Sequence, residues 1–173
     1  MYSLEEFDKE KTKVMKYIVF KKRTEQEVRT KFAGSIEENM LEDIIEYLKE
    51  ANYLNDKEYI EKTINNFKVL KNLSLKEVKY KLLAKGLNKS DIEDYFYENK
   101  EELNEYEKQS ARNIYYKKQR DMDIEEIKQY LIKKGYSYDN IKFKETNYEK
   151  SIVFWKKVKK FLIEKKVNFN KRF

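Results

Sequence analysis

The sequence predicts an all-α protein made of tandem three-helix repeats. Three copies of about fifty residues stack into an elongated curved rod, and a basic helix follows at the C-terminal end. Three observations support this. The chain resembles itself at a fixed period, the same helix-start signal returns at that period, and apolar residues recur at helical spacing without alternation long enough for a strand. Val14, Ile64 and Ile114 lie fifty apart, and Val28, Val78 and Ile127 follow at intervals of fifty and forty-nine. Four residues before each of the latter stands a capping residue (Thr24, Ser74, Asp123), and three after each cap stands an acid (Glu27, Glu77, Glu126). That is a capping box used three times: the side-chain oxygen takes the N3 amide while the acid reaches back to the cap.

After a short lead-in, residues 1–8, copy one spans 9–52, copy two 56–100 and copy three 105–147. Copy two shows the pattern best. Asp56 is expected to cap a helix carrying Tyr59, Ile60, Ile64 and Phe67, and Ser74 the next, with Leu75, Val78, Leu82 and Leu83 inward. Ser90 is expected to cap the third helix, with Ile92, Tyr95 and Phe96. Gly86 and Gly135 stand eight residues after their core Val or Ile, where a left-handed residue stops a helix. In copy one the stop comes two residues earlier, at Ala33-Gly34-Ser35, and Ile92 and Ile141 fall early in following helices. A unit of this size cannot bury both faces alone, so neighbours stack. Residues 148–173 form the basic tail, with Ile152, Trp155, Val158 and Leu162 on one helical side.

Composition excludes much chemistry. With no His and no Cys, a Cys or His zinc site, a thiolate nucleophile, a Ser-His-Asp triad and a disulfide are all ruled out. Three scattered Gly cannot build a Walker loop or a dinucleotide fingerprint. Adjacent acids such as Glu37-Glu38, Glu101-Glu102 and Glu125-Glu126 point about 100° apart on a helix, so they do not share a metal or a proton. The expectation is a protein that is not an enzyme and needs no cofactor or metal. No apolar run reaches about 18 residues and the first twenty residues are acidic and polar, so it is read as cytoplasmic, with no membrane partner.

Charge is unevenly placed. The net charge is +7, and residues 148–173 hold nine basic residues against two acids, so the excess lies entirely in the tail. Within the balanced body, local patches are what matter. Arg29, Lys79 and Lys128 each follow the core Val or Ile, and Lys81 and Lys85 lie four apart on one helix flank, placed to face one phosphate strand or one acidic surface. Tyr115-Tyr116-Lys117-Lys118-Gln119-Arg120 interleaves aromatic and basic residues, the pattern for base stacking with phosphate contact. Tyr17, Tyr59, Tyr95 and Tyr130 fall on apolar spacing and read as packing residues. In the tail, Lys156, Lys157 and Lys160 belong to a basic amphipathic helix that binds phosphate, an acidic protein surface or an anionic membrane surface, or else docks its apolar face on copy three. Two readings stand: a protein-binding regulator of a filament, or a stand-alone helical DNA-binding module or transcriptional regulator. The neutral body favours the first.

Several segments resemble the RecX regulatory family. Tyr53-Leu54-Asn55-Asp56-Lys57-Glu58-Tyr59 is similar to its signature at the junction of the first and second repeats. The stretch from Glu77 through Lys79, Lys81, Leu82, Leu83 and Lys85 to Gly86-Leu87 is similar to its second-repeat motif, and Arg23-Thr24-Glu25-Gln26-Glu27-Val28 to the first-repeat version. The resemblance runs from about Lys11 to Ile141. Asn52 stands where the family usually has Gly, and Lys68 to Leu73 lack the usual Arg-rich, Gly-containing turn. The resemblance implies a monomeric cytosolic modulator of the RecA recombinase that lies in the groove of the RecA filament on single-stranded DNA. It restrains ATP hydrolysis, strand exchange and co-protease activity, and so bears on homologous recombination, DNA repair and the SOS response. It also implies DNA binding, single-stranded first and double-stranded second.

Overall fold

A computed structural model describes residues 2–143 and is helical throughout that span. The order is α1 (Leu4–Phe20), α2 (Glu25–Phe32), α3 (Glu38–Glu50), α4 (Asp56–Leu70), α5 (Leu75–Leu83), α6 (Lys89–Glu98), α7 (Lys100–Lys118) and α8 (Ile124–Lys133), then a 3₁₀ turn, Tyr138–Ile141. Among the described residues there is no strand, only an isolated bridge between Ala33 and Ile36. The C-terminal helix expected over the tail, with Lys156, Lys157 and Lys160, lies outside the described residues.

Apolar side chains gather in three clusters. Val14, Ile18, Val28, Ile44, Ile45 and Leu48 join α1, α2 and α3; Ile60, Ile64, Val78, Leu82 and Ile92 join α4, α5 and α6. Ala111, Tyr115, Ile127, Leu131, Tyr136 and Ile141 join α7, α8 and the 3₁₀ turn. Each cluster thus holds one helical unit together by burial of Leu, Ile and Val, the dominant favourable contribution to folding.

The local signals act as their chemistry requires. Thr24, Ser74 and Asp123 accept the amides of Glu27, Glu77 and Glu126, and all three capping boxes close. A fourth box, Ser3 with Glu6, opens α1. Gly34, Gly86 and Gly135 sit at φ of +75°, +74° and +86°. Asn52, in place of the expected Gly, sits at φ 58°, and Asn tolerates the left-handed region better than other side chains.

Two expected caps differ. Asn55, not Asp56, caps α4 by accepting the Glu58 amide, and Asn88, not Ser90, caps α6 by accepting the Ser90 amide. In both cases the side-chain carbonyl of an upstream Asn takes a first-turn amide; at α4 this leaves Asp56 to accept the Glu25 amide, while at α6 the Ser90 hydroxyl donates back to Asn88 at 2.9 Å. Leu83 is 41 % exposed rather than inward, because α5 ends there and its last side chain clears the core. Ile141 is buried but closes a 3₁₀ turn rather than beginning a helix.

Candidate nucleic-acid interface

The joints between units pair two of the cations with carboxylates. At the first joint the buried Thr24 hydroxyl, besides capping α2, donates to the Lys85 carbonyl at 2.7 Å. Lys85 Nζ reaches Glu27 Oε1 at 2.8 Å, and the Glu25 amide donates to Asp56 at 3.0 Å. The second joint repeats this. The Ser74 hydroxyl donates to the Lys134 carbonyl at 2.7 Å, Lys134 Nζ reaches Glu77 at 3.0 Å, and the Leu75 amide donates to Glu107 at 2.8 Å. The glycines seat this clasp: a Cβ on Gly86 would strike Gln26, and one on Gly135 would lie 2.8–2.9 Å from Lys76 carbons.

Electrostatics follow the geometry. Burial opposes ionisation of Glu25 and Glu27, yet Lys49 and Arg29 for the first, and Lys85 and the Thr24 amide for the second, hold both below the ordinary glutamate value. The carboxylates of Glu27 and Glu77 raise Lys85 and Lys134 in turn. Burial pushes Asp56 up, against the lowering by the Glu25 amide.

The candidate cations therefore divide. Arg29 Nη2 donates to Glu25 at 2.7 Å and to Glu42 at 2.9 Å, and Glu42 first among these contacts raises its pKa. Lys79 Nζ lies 4.6 Å from the centre of the Phe96 ring, and Lys128 pairs with Glu125 at 2.7 Å. The three equivalent positions thus present no uniform basic stripe. Lys85 lies beyond the end of α5 at Leu83 and pairs with Glu27, whereas Lys81 sits exposed inside α5, so the two are not the i, i+4 pair on one helix flank that the sequence suggested.

The aromatic-basic run at the end of α7 splits as well. Tyr115 is 7 % exposed and stacks on Phe143 at 4.7 Å, while Lys118 folds over Tyr130 at 4.2 Å. Tyr116 is 58 % exposed and, with Lys117, Arg120, Asn72 and Asn113, lines a groove of about 540 Å³. In that groove Asn113 donates to Asn72 at 2.9 Å and accepts from Gln109 at 3.0 Å. An open aromatic face, amides and two cations are the elements that hold an unstacked base and its phosphate. By contrast, the groove between α4 and α6 is lined by Glu58, Glu61, Asp91, Asp94 and Glu98, the wrong sign for phosphate.

Sequence reasoning missed Lys134, Asn72, Asn113 and Glu107. Lys134 stands forty-nine residues after Lys85, so the repeat itself marked it. Glu107 has no such signal: it is 1 % exposed and accepts from the Leu75 amide, the Ser137 amide (3.1 Å) and Asn140 (2.6 Å). Among the described residues no group of three or more Asp or Glu is placed to hold a metal, and no helix is long and apolar enough to cross a membrane.

No family model matches the chain. Among curated proteins, it is 27 % identical over 151 residues to the regulatory protein RecX of Clostridioides difficile (strain 630), a match covering 80 % of this chain and 67 % of that protein. It is 33 % identical over 134 residues to the regulatory protein RecX of Clostridium botulinum (strain Eklund 17B / Type B), covering 69 % and 59 %. Across the first three curated relatives, the match spans 49 to 67 % of their lengths. The crystal structure of RecX from Lactobacillus salivarius superposes with a TM-score of 0.69 at 24 % identity, over 80 % of this chain and 94 % of that one; this likeness establishes the fold.

Proposed function

Because the chain belongs to the RecX family of regulatory proteins, we propose that it is a non-enzymatic regulator that binds the RecA filament on single-stranded DNA and restrains its activities. The observation that carries this reading is the clasp used twice. Units joined to one another by the same bonds recur at a regular interval, which suits a partner that itself repeats. In this reading inhibition covers ATP hydrolysis, strand exchange and co-protease activity, and the protein works as a cytoplasmic monomer. The docking candidates with side chains open to a partner are Lys81, Lys117 and Tyr116.

The test is steady-state ATP hydrolysis by the cognate recombinase on single-stranded DNA, with this protein titrated from far below equimolar. Inhibition at substoichiometric ratios, beyond that of a DNA-coating control at equal salt, is expected. An effect only at DNA-saturating amounts overturns the reading.

The groove around Tyr116 favours a second reading, a stand-alone DNA-binding module. It requires affinity for bare single-stranded DNA that falls steeply with salt and gains nothing from the recombinase. Tyr116→Ala should then weaken that affinity by about 1–3 kcal/mol, the usual contribution of one stacked base.

A further inference from the structure

The first helix of each of the first two units ends on an exposed apolar pair. Val19 and Phe20 close α1 at 70 % and 89 % exposure, and Val69 and Leu70 close α4 at 81 % and 74 %. None of the four contributes to an apolar cluster, whereas their neighbours Ile18 and Phe67 do. A single exposed Phe or Leu needs no explanation. Two adjacent pairs fifty residues apart, at the same distance before the Thr24 and Ser74 caps, are a repeated feature of the surface.

The surroundings indicate what covers them. Lys21 and Lys22 follow the first pair and Lys71 the second, so each apolar tip has a cationic edge, in which Lys22 also reaches Glu58 at 3.4 Å and Lys71 lies 5.5 Å from the centre of the Phe67 ring. Counted from its cap, the third unit carries Lys118-Gln119-Arg120 instead, and Lys118 is folded onto Tyr130. The apolar tip is thus present twice and replaced by polar side chains in the third unit. The clasp formed by Thr24, Glu27 and Lys85 joins the two units that carry the tips.

We propose that these tips are the docking edge for protein, each seating in an apolar pocket with an acidic rim on successive identical subunits of a polymer. The inference rests on the filament reading above and adds the face that makes the contact. Repetition of one tip chemistry at the spacing of the repeat suits a partner that repeats, and the flanking lysines favour an acidic rim. Two linked contacts reinforce each other through effective concentration.

The experiment uses the full chain with Phe20→Ala, Leu70→Ala and the double variant; alanine keeps the helix ends intact. Half-inhibitory concentration against recombinase ATPase on single-stranded DNA is measured beside thermal melting, affinity for bare single-stranded DNA, and sedimentation of the protein alone. Each single variant is expected to need about tenfold more protein and the double about a hundredfold more, as for buried apolar anchors. Melting and bare-DNA affinity should stay unchanged. Variants that inhibit like the parent overturn the docking edge while leaving the filament reading intact, whereas a parent without effect on the filament overturns both. A parallel loss of bare-DNA affinity assigns the tips to nucleic acid. Self-association of the parent that disappears in the variants assigns them to a second copy of this chain. Either of these overturns the proposal.

Discussion

The two joints use equivalent positions, yet they bury very different amounts of polar chemistry. At the first, Asp56 accepts one amide, from Glu25, and an outer pair joins Lys22 to Glu58 at 3.4 Å. At the second, Glu107 is sealed from water and accepts the Leu75 amide across the joint together with two donors of its own unit, the Ser137 amide and the Asn140 side chain. Around it, the Tyr106 hydroxyl accepts the Leu73 amide and donates to the Lys71 carbonyl, both at 3.1 Å, and Ser110 pairs with Tyr136 at 2.7 Å. A buried network that is fully satisfied specifies one arrangement; removing a member leaves orphaned donors in a medium that cannot solvate them. The first joint is therefore the more adjustable one, and the second binds units two and three into a single stiff piece.

The largest expected effect is at Glu107. Glu107→Ala strands two backbone amides and the Asn140 amide, and should lower stability by about 4 kcal/mol, whereas Asp56→Ala should lower it by about 1 kcal/mol. Urea unfolding of both variants measures this, and equal losses would break the distinction between the joints. Next come the glycines. Gly86→Ala and Gly135→Ala place a Cβ at positive φ and against Gln26 or Lys76, so each should be destabilised by roughly 2–3 kcal/mol in thermal melting.

Smaller effects sharpen the picture. Thr24→Ala and Ser74→Ala each remove a cap and a bond to the next unit, for about 1–2 kcal/mol, while Asp123→Ser should change stability by only a few tenths. Asp123 is exposed, and an ionised carboxylate cannot donate to a carbonyl, so the third cap serves its own helix. Calorimetry of the three variants tests that ordering. The smallest effect is in pH. Glu25 and Glu27 titrate below the ordinary 4.5, so their stabilisation is complete above that value and is lost as pH falls through their lowered values. Asp56, raised above 3.8, acts in the opposite direction and partly offsets the loss. Urea midpoints from pH 7 to 3 should decline less steeply for Glu27→Gln than for the parent.

Legibility in the sequence followed the range of each interaction. The capping boxes at Thr24, Ser74 and Asp123 and the stops at Gly86 and Gly135 were readable because cap and acid lie three residues apart and a helix stop is a property of one residue's φ. The candidate interface was less readable. Arg29 and Lys85 look like Lys128 in a sequence, yet Lys128 pairs locally with Glu125 three residues away, whereas the pairing of the other two depends on carboxylates placed by folding, Glu42 and Glu27, thirteen and fifty-eight positions from their partners. Likewise the run from Tyr115 to Arg120 gives no sign that Tyr115 turns inward and Tyr116 outward.

By itself, then, the amino-acid order determined that the chain is helical, where its second helices begin and end, and that equivalent positions recur about every fifty residues, because those depend on contacts within one turn. Only the tertiary structure decided that Glu107 is the buried centre of one joint, that Lys85 and Lys134 are held in clasps, and that Phe20 and Leu70 face water. Burial and pairing are set by which distant segments meet, and side chains of the same type are separated only when those segments pack.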